Sequence, residues 1–159
     1  MSDPLAIYLH DHLAGAALAV DLLKSMQRDN AGEPLSHFAK SLLADIEADR
    51  DVLRRVADQV GSGSSAFKEV AAWLSEKVSR VKLGGKGQSD FGTFEALEFL
   101  QLGIHGKWAL WQALAVVAAT DERLRGTDFL RLATRAATQE SQVEQQRLQT
   151  ARLVFEPAA

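Results

Sequence analysis

Cysteine is missing from all 159 residues of this chain. Its absence removes disulfide staples, thiolate catalysis, thiol redox sensing and zinc–cysteine sites together. Uninterrupted apolar runs of 18 or more residues are missing as well, so no membrane-spanning segment is expected. Excess charge is small: 18 Lys and Arg against 21 Asp and Glu leave a net charge of -3, too mild to point to nucleic acid or an anionic membrane surface. Residues Met1 to Pro4 lack a basic start followed by an apolar stretch, so no secretory leader is expected and the cytoplasm is the expected location. Strand signals are nearly absent. What remains is ordinary globular composition, 47% hydrophobic and 25% charged, in a length that suits one domain with a core needing no staples.

Helical signals fill the chain. Ser2, Asp3 and Pro4 supply a cap and a first-turn proline, and Leu5, Leu9, His12, Ala16, Ala19 and Leu23 follow at helical spacing. Residues 29–32 end that helix and Pro34 opens a second, whose apolar face carries Leu35, Phe38, Leu42, Ile46, Leu53, Val56 and Val60 before Gly61 stops it. Two helices of this length joined by a short turn lie antiparallel. Residues 61–65 read as a linker, with Ser65 capping a shorter helix over 66–82 that ends at the glycines of 84–87. At about 1.5 Å per residue such a helix runs roughly 25 Å, enough to return the chain along a bundle. The next long helix, near 89–120, would then run parallel to the second. It is apolar nearly all round, from Phe94 to Val117, which predicts cover on several sides and self-association through it. Thr127 and Asp128 cap a last helix with apolar Leu130, Ala133, Ala137, Val143, Leu148, Ala151 and Phe155, closed by Pro157.

Polar residues interrupt these stripes near mid-length. His12 sits in the first stripe, whereas His10 points about 200° away and cannot share an ion with it. Asp49 or Arg50 breaks the second stripe, Glu98 with His105 two turns on breaks the third, and Glu140 or Glu144 the last. A metal centre would explain the acids, but Arg50 would place a positive charge where cations must sit. A closed ion network explains the arginine, since a buried charge persists only when paired. The expected polar belt is therefore His12, Arg50, Glu98, His105, Glu140 and Glu144, with Arg50 bridging Glu98 and Glu140 or Glu144. If a metal is held, the candidate ligands are His12, Glu47, Glu98 and Glu140; a single ion on His12 and Glu98 is the narrower alternative. Residues 84–87 lack the spacing of a phosphate loop, and the tryptophans read as core or interface.

Two hairpins joined by a long crossover are the plan of a ferritin-like four-helix bundle. The segments 8–15, 46–50, 73–83 and 102–111 resemble a group of uncharacterised bacterial ferritin-like proteins, over nearly the whole chain. The resemblance implies the fold, with His12 near the position of the family's helix-one glutamate and Glu98 or Glu95 matching a later one. It implies no activity. Where a di-metal centre needs Glu-x-x-His, this chain has Glu47 followed by Arg50 and Glu140 followed by Val143, and neither replacement binds a cation. The expectation is thus an all-α, ferritin-like single domain over 1–159 with an added crossover helix. It acts as a binding or assembly module without a di-iron centre or other cofactor and assembles as a homodimer, with neither nucleic acid nor membrane as partner. A carboxylate-bundle metal enzyme and a small-ligand carrier are the alternatives, and no catalytic residue is assigned.

Overall fold

The computed structural model describes residues 3–61 and 89–156. Among them are four long helices and no strand: α1 (Pro4–Asp29), α2 (Pro34–Val60), α3 (Asp90–Val117) and α4 (Phe129–Phe155), with one 3-10 turn (Glu122–Leu124) before α4. The helix expected over 66–82, its Ser65 cap, Trp73 and the glycines of 84–87 lie outside the described residues.

Each start is capped by a side chain or preset by proline. The Asp3 carboxylate accepts from the Leu5 amide at 2.9 Å, Ser89 from Gly92 at 3.2 Å and Asp128 from Arg131 at 3.0 Å. Pro4 and Pro34 occupy first turns, where their missing N–H costs nothing. Between α1 and α2, Asn30 donates through Nδ2 to the Met26 carbonyl at 2.7 Å, and Gly32 takes a φ of +85° that a side chain would resist.

Arg123, in the 3-10 turn that the apolar pattern did not announce, fastens one end of the molecule. Its guanidinium reaches Asp3 at 2.6 Å, Asp121 at 2.7 Å and the Val60 carbonyl at 3.4 Å, tying together the start of α1, the end of α2 and the approach to α4. Hydrogen bonds from Arg123 are the main reason that Asp3 and Asp121 lie below the usual carboxylate range.

Two apolar clusters form the core, and their membership sets the helix directions. One gathers Leu9 from the start of α1, Val56 and Val60 from the end of α2, Leu110 and Leu114 from late α3, and Phe129 and Ala133 from the start of α4. The other gathers Leu23, Leu42, Leu97, Leu100 and Val143 from the opposite ends. Hence α1 is antiparallel to α2 and α3, α3 is antiparallel to α4, and α2 runs parallel to α3. The end of α2 and the start of α3 lie at opposite ends of the core. Each fully buried leucine contributes about 1.5–3 kcal/mol of transfer free energy, and this term drives the assembly.

Within the described residues, the buried face of α3 is narrower than its apolar pattern, and that of α4 departs from the expected positions. In α3 a single stripe, Leu97, Leu100, Ile104, Trp111 and Leu114, enters the core, while Leu102 and Val116 stay exposed. The expected cover for its other sides, a crossover helix or a second copy, lies outside the described residues. In α4 the buried positions are Phe129, Ala133, Ala136, Gln139, Val143 and Thr150, and the expected Leu130, Ala137 and Leu148 are exposed. Helical residues can step by three or four along one face, and the core follows 133–136–139–143 rather than 133–137–140. In α1 the most apolar 18-residue window has a mean hydropathy of 1.2, high enough for a spanning segment by composition. Its Leu9, Leu18, Leu22, Leu23 and Met26 face the other helices.

Candidate functional site

Between the two apolar clusters lies one polar layer. Asp49 comes from α2, Lys107 from α3 and Gln139 from α4, and each occupies a core position in its own stripe. Lys107 Nζ donates to Asp49 Oδ2 at 2.6 Å and to Gln139 Oε1; Gln139 Nε2 in turn donates to Asp49 Oδ2 at 3.0 Å. The loop is closed across three helices. Arg135 borders it, with Nε 3.4 Å from Asp49 Oδ1 and Nη2 3.2 Å from Asp45 Oδ1. Burial pushes the Lys107 ammonium below its ordinary value; the charge of Asp49 and its hydrogen bond, with Asp45, pull it back, against Arg135.

The belt expected from sequence is thus redrawn. Arg50 bridges neither Glu98 nor Glu140 nor Glu144. Its nearest carboxylate is Asp51 at 3.9 Å. Arg147 serves Glu98 at 3.1 Å and Glu144 at 2.7 Å instead, on the outside of the α3–α4 pair, and stacks 5.6 Å over Phe94. His105 lies 3.2 Å from Glu140 in solvent. Glu47 pairs with Lys24 at 3.4 Å. His12 meets the Tyr8 ring edge-on at 4.7 Å, and burial pushes its pKa below the ordinary value against a smaller upward pull from Asp11. The conditional metal ligands His12, Glu47, Glu98 and Glu140 are therefore dispersed among different partners. Among the described residues, no group of three or more His, Asp or Glu could hold one ion.

Beside the polar layer opens a cleft of about 580 Å³ between α1 and α3, with α2 as its floor. It falls within the roughly 300–1,000 Å³ typical of small-ligand sites. Small residues make the room: Gly15, Ala16 and Ala19 on α1 and Gly103 and Gly106 on α3. A Cβ added at Gly15, Gly103 or Gly106 would meet nothing within 4 Å, and none of the three has a positive φ. Neither backbone strain nor close helix approach demands glycine there. Each weakens its helix by about 0.5–1 kcal/mol relative to alanine.

The lining is mostly apolar, with Leu53, Phe99, Leu100 and Leu110 among its walls, but it also carries unmet polar demand. Among the described residues, four buried side-chain atoms lack a hydrogen-bond partner: Asp11 Oδ1, Asp49 Oδ1, Arg50 Nε and Trp111 Nε1. All four residues line this cleft. Asp49 Oδ1 is compensated in charge by Arg135 at 3.4 Å and Arg50 Nε only by Asp51 at 3.9 Å, and among the described residues Asp11 Oδ1 has no such neighbour. Buried polar atoms normally find partners, so four orphans around one cavity mark a place completed by something else.

Compared with known protein families, curated proteins and solved structures, the chain matches none. The geometry carries the functional argument by itself.

Sequence reasoning reached His12 and Arg50 and missed Asp11, Lys107, Trp111 and Gln139. Lys107 was readable in principle: it stands three residues after Ile104 and four before Trp111, a charge on the buried stripe of α3.

Proposed function

We propose that this protein is a helical binding module of ferritin-like plan whose α1–α3 cleft takes a small, largely apolar molecule with polar groups. The observation that carries the reading is the coincidence, among the described residues, of the four unpartnered buried polar atoms with one cavity of ligand size. The helical glycines lend support, since they hold space open at a cost to helix stability. The closed Asp49–Lys107–Gln139 layer supplies a rigid wall, as a site for recognition needs. A cytoplasmic homodimer without a metal cofactor is part of the same proposal, with exposed Val116 and Leu102 on α3, the latter also lining the cleft, as the apolar surface a second copy would cover.

Binding of a neutral fluorescent probe, N-phenyl-1-naphthylamine, tests the cleft. The native chain should bind one equivalent with enhanced emission, and a Gly103→Leu/Gly106→Leu variant that keeps its helical content should lose it. Equal binding by both proteins would place the probe elsewhere and remove the support for the cleft.

A further inference from the structure

Among the charged groups lining the cleft, Asp11 forms no ion pair with the described residues and Arg50 forms only a long one. Asp49 and Lys107 neutralise one another at 2.6 Å. Arg50 has only Asp51 Oδ1, 3.9 Å from its Nε, a carboxylate more than half exposed and also 3.3 Å from Arg54. The Nε proton of Arg50 is buried and donates to nothing among the described residues. Across the cleft, Asp11 on α1 buries Oδ1 with no hydrogen-bond donor, and among the described residues no cation pairs with it. One weakly paired cation with a buried free N–H and one anion unpaired among the described residues thus line the same apolar cavity, on different helices.

Each isolated charge is unfavourable in such surroundings unless an opposite charge completes it. A purely anionic ligand would satisfy Arg50 and leave Asp11 worse off; a purely cationic one would do the reverse. A neutral apolar molecule would fill the apolar part of the cleft and leave both polar demands unmet. Only a molecule carrying both signs on an apolar body meets both needs, and additional donors stand ready for its oxyanion. Lys107 Nζ uses two of its three protons on Asp49 and Gln139, and Trp111 Nε1 donates to nothing.

Resting on the cleft being a ligand site, we propose that its ligand class is a small zwitterion with an apolar body. An apolar amino acid or dipeptide has this chemistry, its ammonium taken by Asp11 and its carboxylate by Arg50. At about 580 Å³ the cleft has room for a dipeptide body beside Phe99, Leu100 and Leu110. In the absence of ligand, water fills the polar side of a site of this kind.

The test uses four forms of one body: leucyl-phenylalanine, its N-acetyl form, its C-terminal amide and the doubly blocked form, titrated calorimetrically into the native full-length chain near pH 7. The free dipeptide should bind about tenfold or more tighter than either singly blocked form. Asp11→Asn should erase the preference for a free amino group and Arg50→Gln the preference for a free carboxylate, each leaving the other preference in place. Neither variant strands a partner, and the four ligands on the native chain decide the matter even if a variant folds poorly. Free and doubly blocked forms binding equally, one terminus alone sufficing, or no form binding at millimolar concentration would each overturn the zwitterion assignment. The naphthylamine result stands apart: probe binding retained in any of those cases leaves the cleft as a ligand site of another class, and probe binding absent removes the cleft itself.

Discussion

At the scale of single residues, burial and partner decide which charge matters. Lys107 and Asp49 are the buried pair, their side chains 14% and 3% exposed, whereas Arg50 carries no comparable bond. Lys107→Met leaves Asp49 buried with only Gln139 and Arg135, and breaking such a pair costs about 3–5 kcal/mol. Denaturant unfolding should show that loss for Lys107→Met and a much smaller one for Arg50→Gln. The sequence pointed to Arg50 as the buried charge, because Asp49 and Arg50 are adjacent and either can interrupt a stripe of period 3.6; nothing in periodicity says which of two neighbours faces inward. The same ambiguity chose Glu140 over Gln139. His12 gives a second prediction. Burial depresses its folded pKa below the unfolded value near 6.5, so the unfolded chain binds more protons as pH falls from 6.5 toward the folded pKa. Stability therefore falls through that window and is recovered as pH rises above it. Thermal midpoints measured from pH 7.5 down to 5 should decline less in His12→Gln than in the native chain; identical slopes would show that His12 does not titrate differently on folding.

At the scale of helices, capping chemistry was legible and packing phase was not. Asp3 with Pro4, Pro34, Ser89 and Asp128 start their helices as their residue types dictate, because the orphan N–H groups of a first turn have few other local partners. The stripe of α2 was also legible, since its polar face is crowded with charge. For α3 the stripe was obscured, because apolar residues on the exposed side look the same in sequence as those in the core. The glycines of the α1–α3 cleft were unreadable as such: only the empty space around them separates an allowance for a ligand from a close helix contact. Gly103→Ala and Gly106→Ala should each stabilise the fold by about 0.5–1 kcal/mol in unfolding experiments. A destabilisation would mean that the backbone there needs glycine for a reason the free space does not provide.

At the scale of the whole molecule, two hairpins pack so that α2 and α3 run parallel, and a polar layer joins three helices between two apolar clusters. Exposed Leu102 and Val116 on α3 motivate the proposed homodimer, for which light scattering at micromolar concentration should give about twice the 17.3 kDa chain mass, shifted toward monomer by Leu102→Glu. A strict monomer across that range would remove the dimer and leave the cleft argument untouched. The cleft is the central claim, and amide chemical-shift mapping of the isotope-labelled native chain tests it most directly. Titration with leucyl-phenylalanine or the naphthylamine probe should move resonances of Asp11 to Ala19, Ile46 to Leu53 and Phe99 to Trp111, and leave the distant Phe91–Phe155 surface still. Shifts centred on Phe91, Phe94 and Phe155 instead, or none at saturating ligand, would contradict the account.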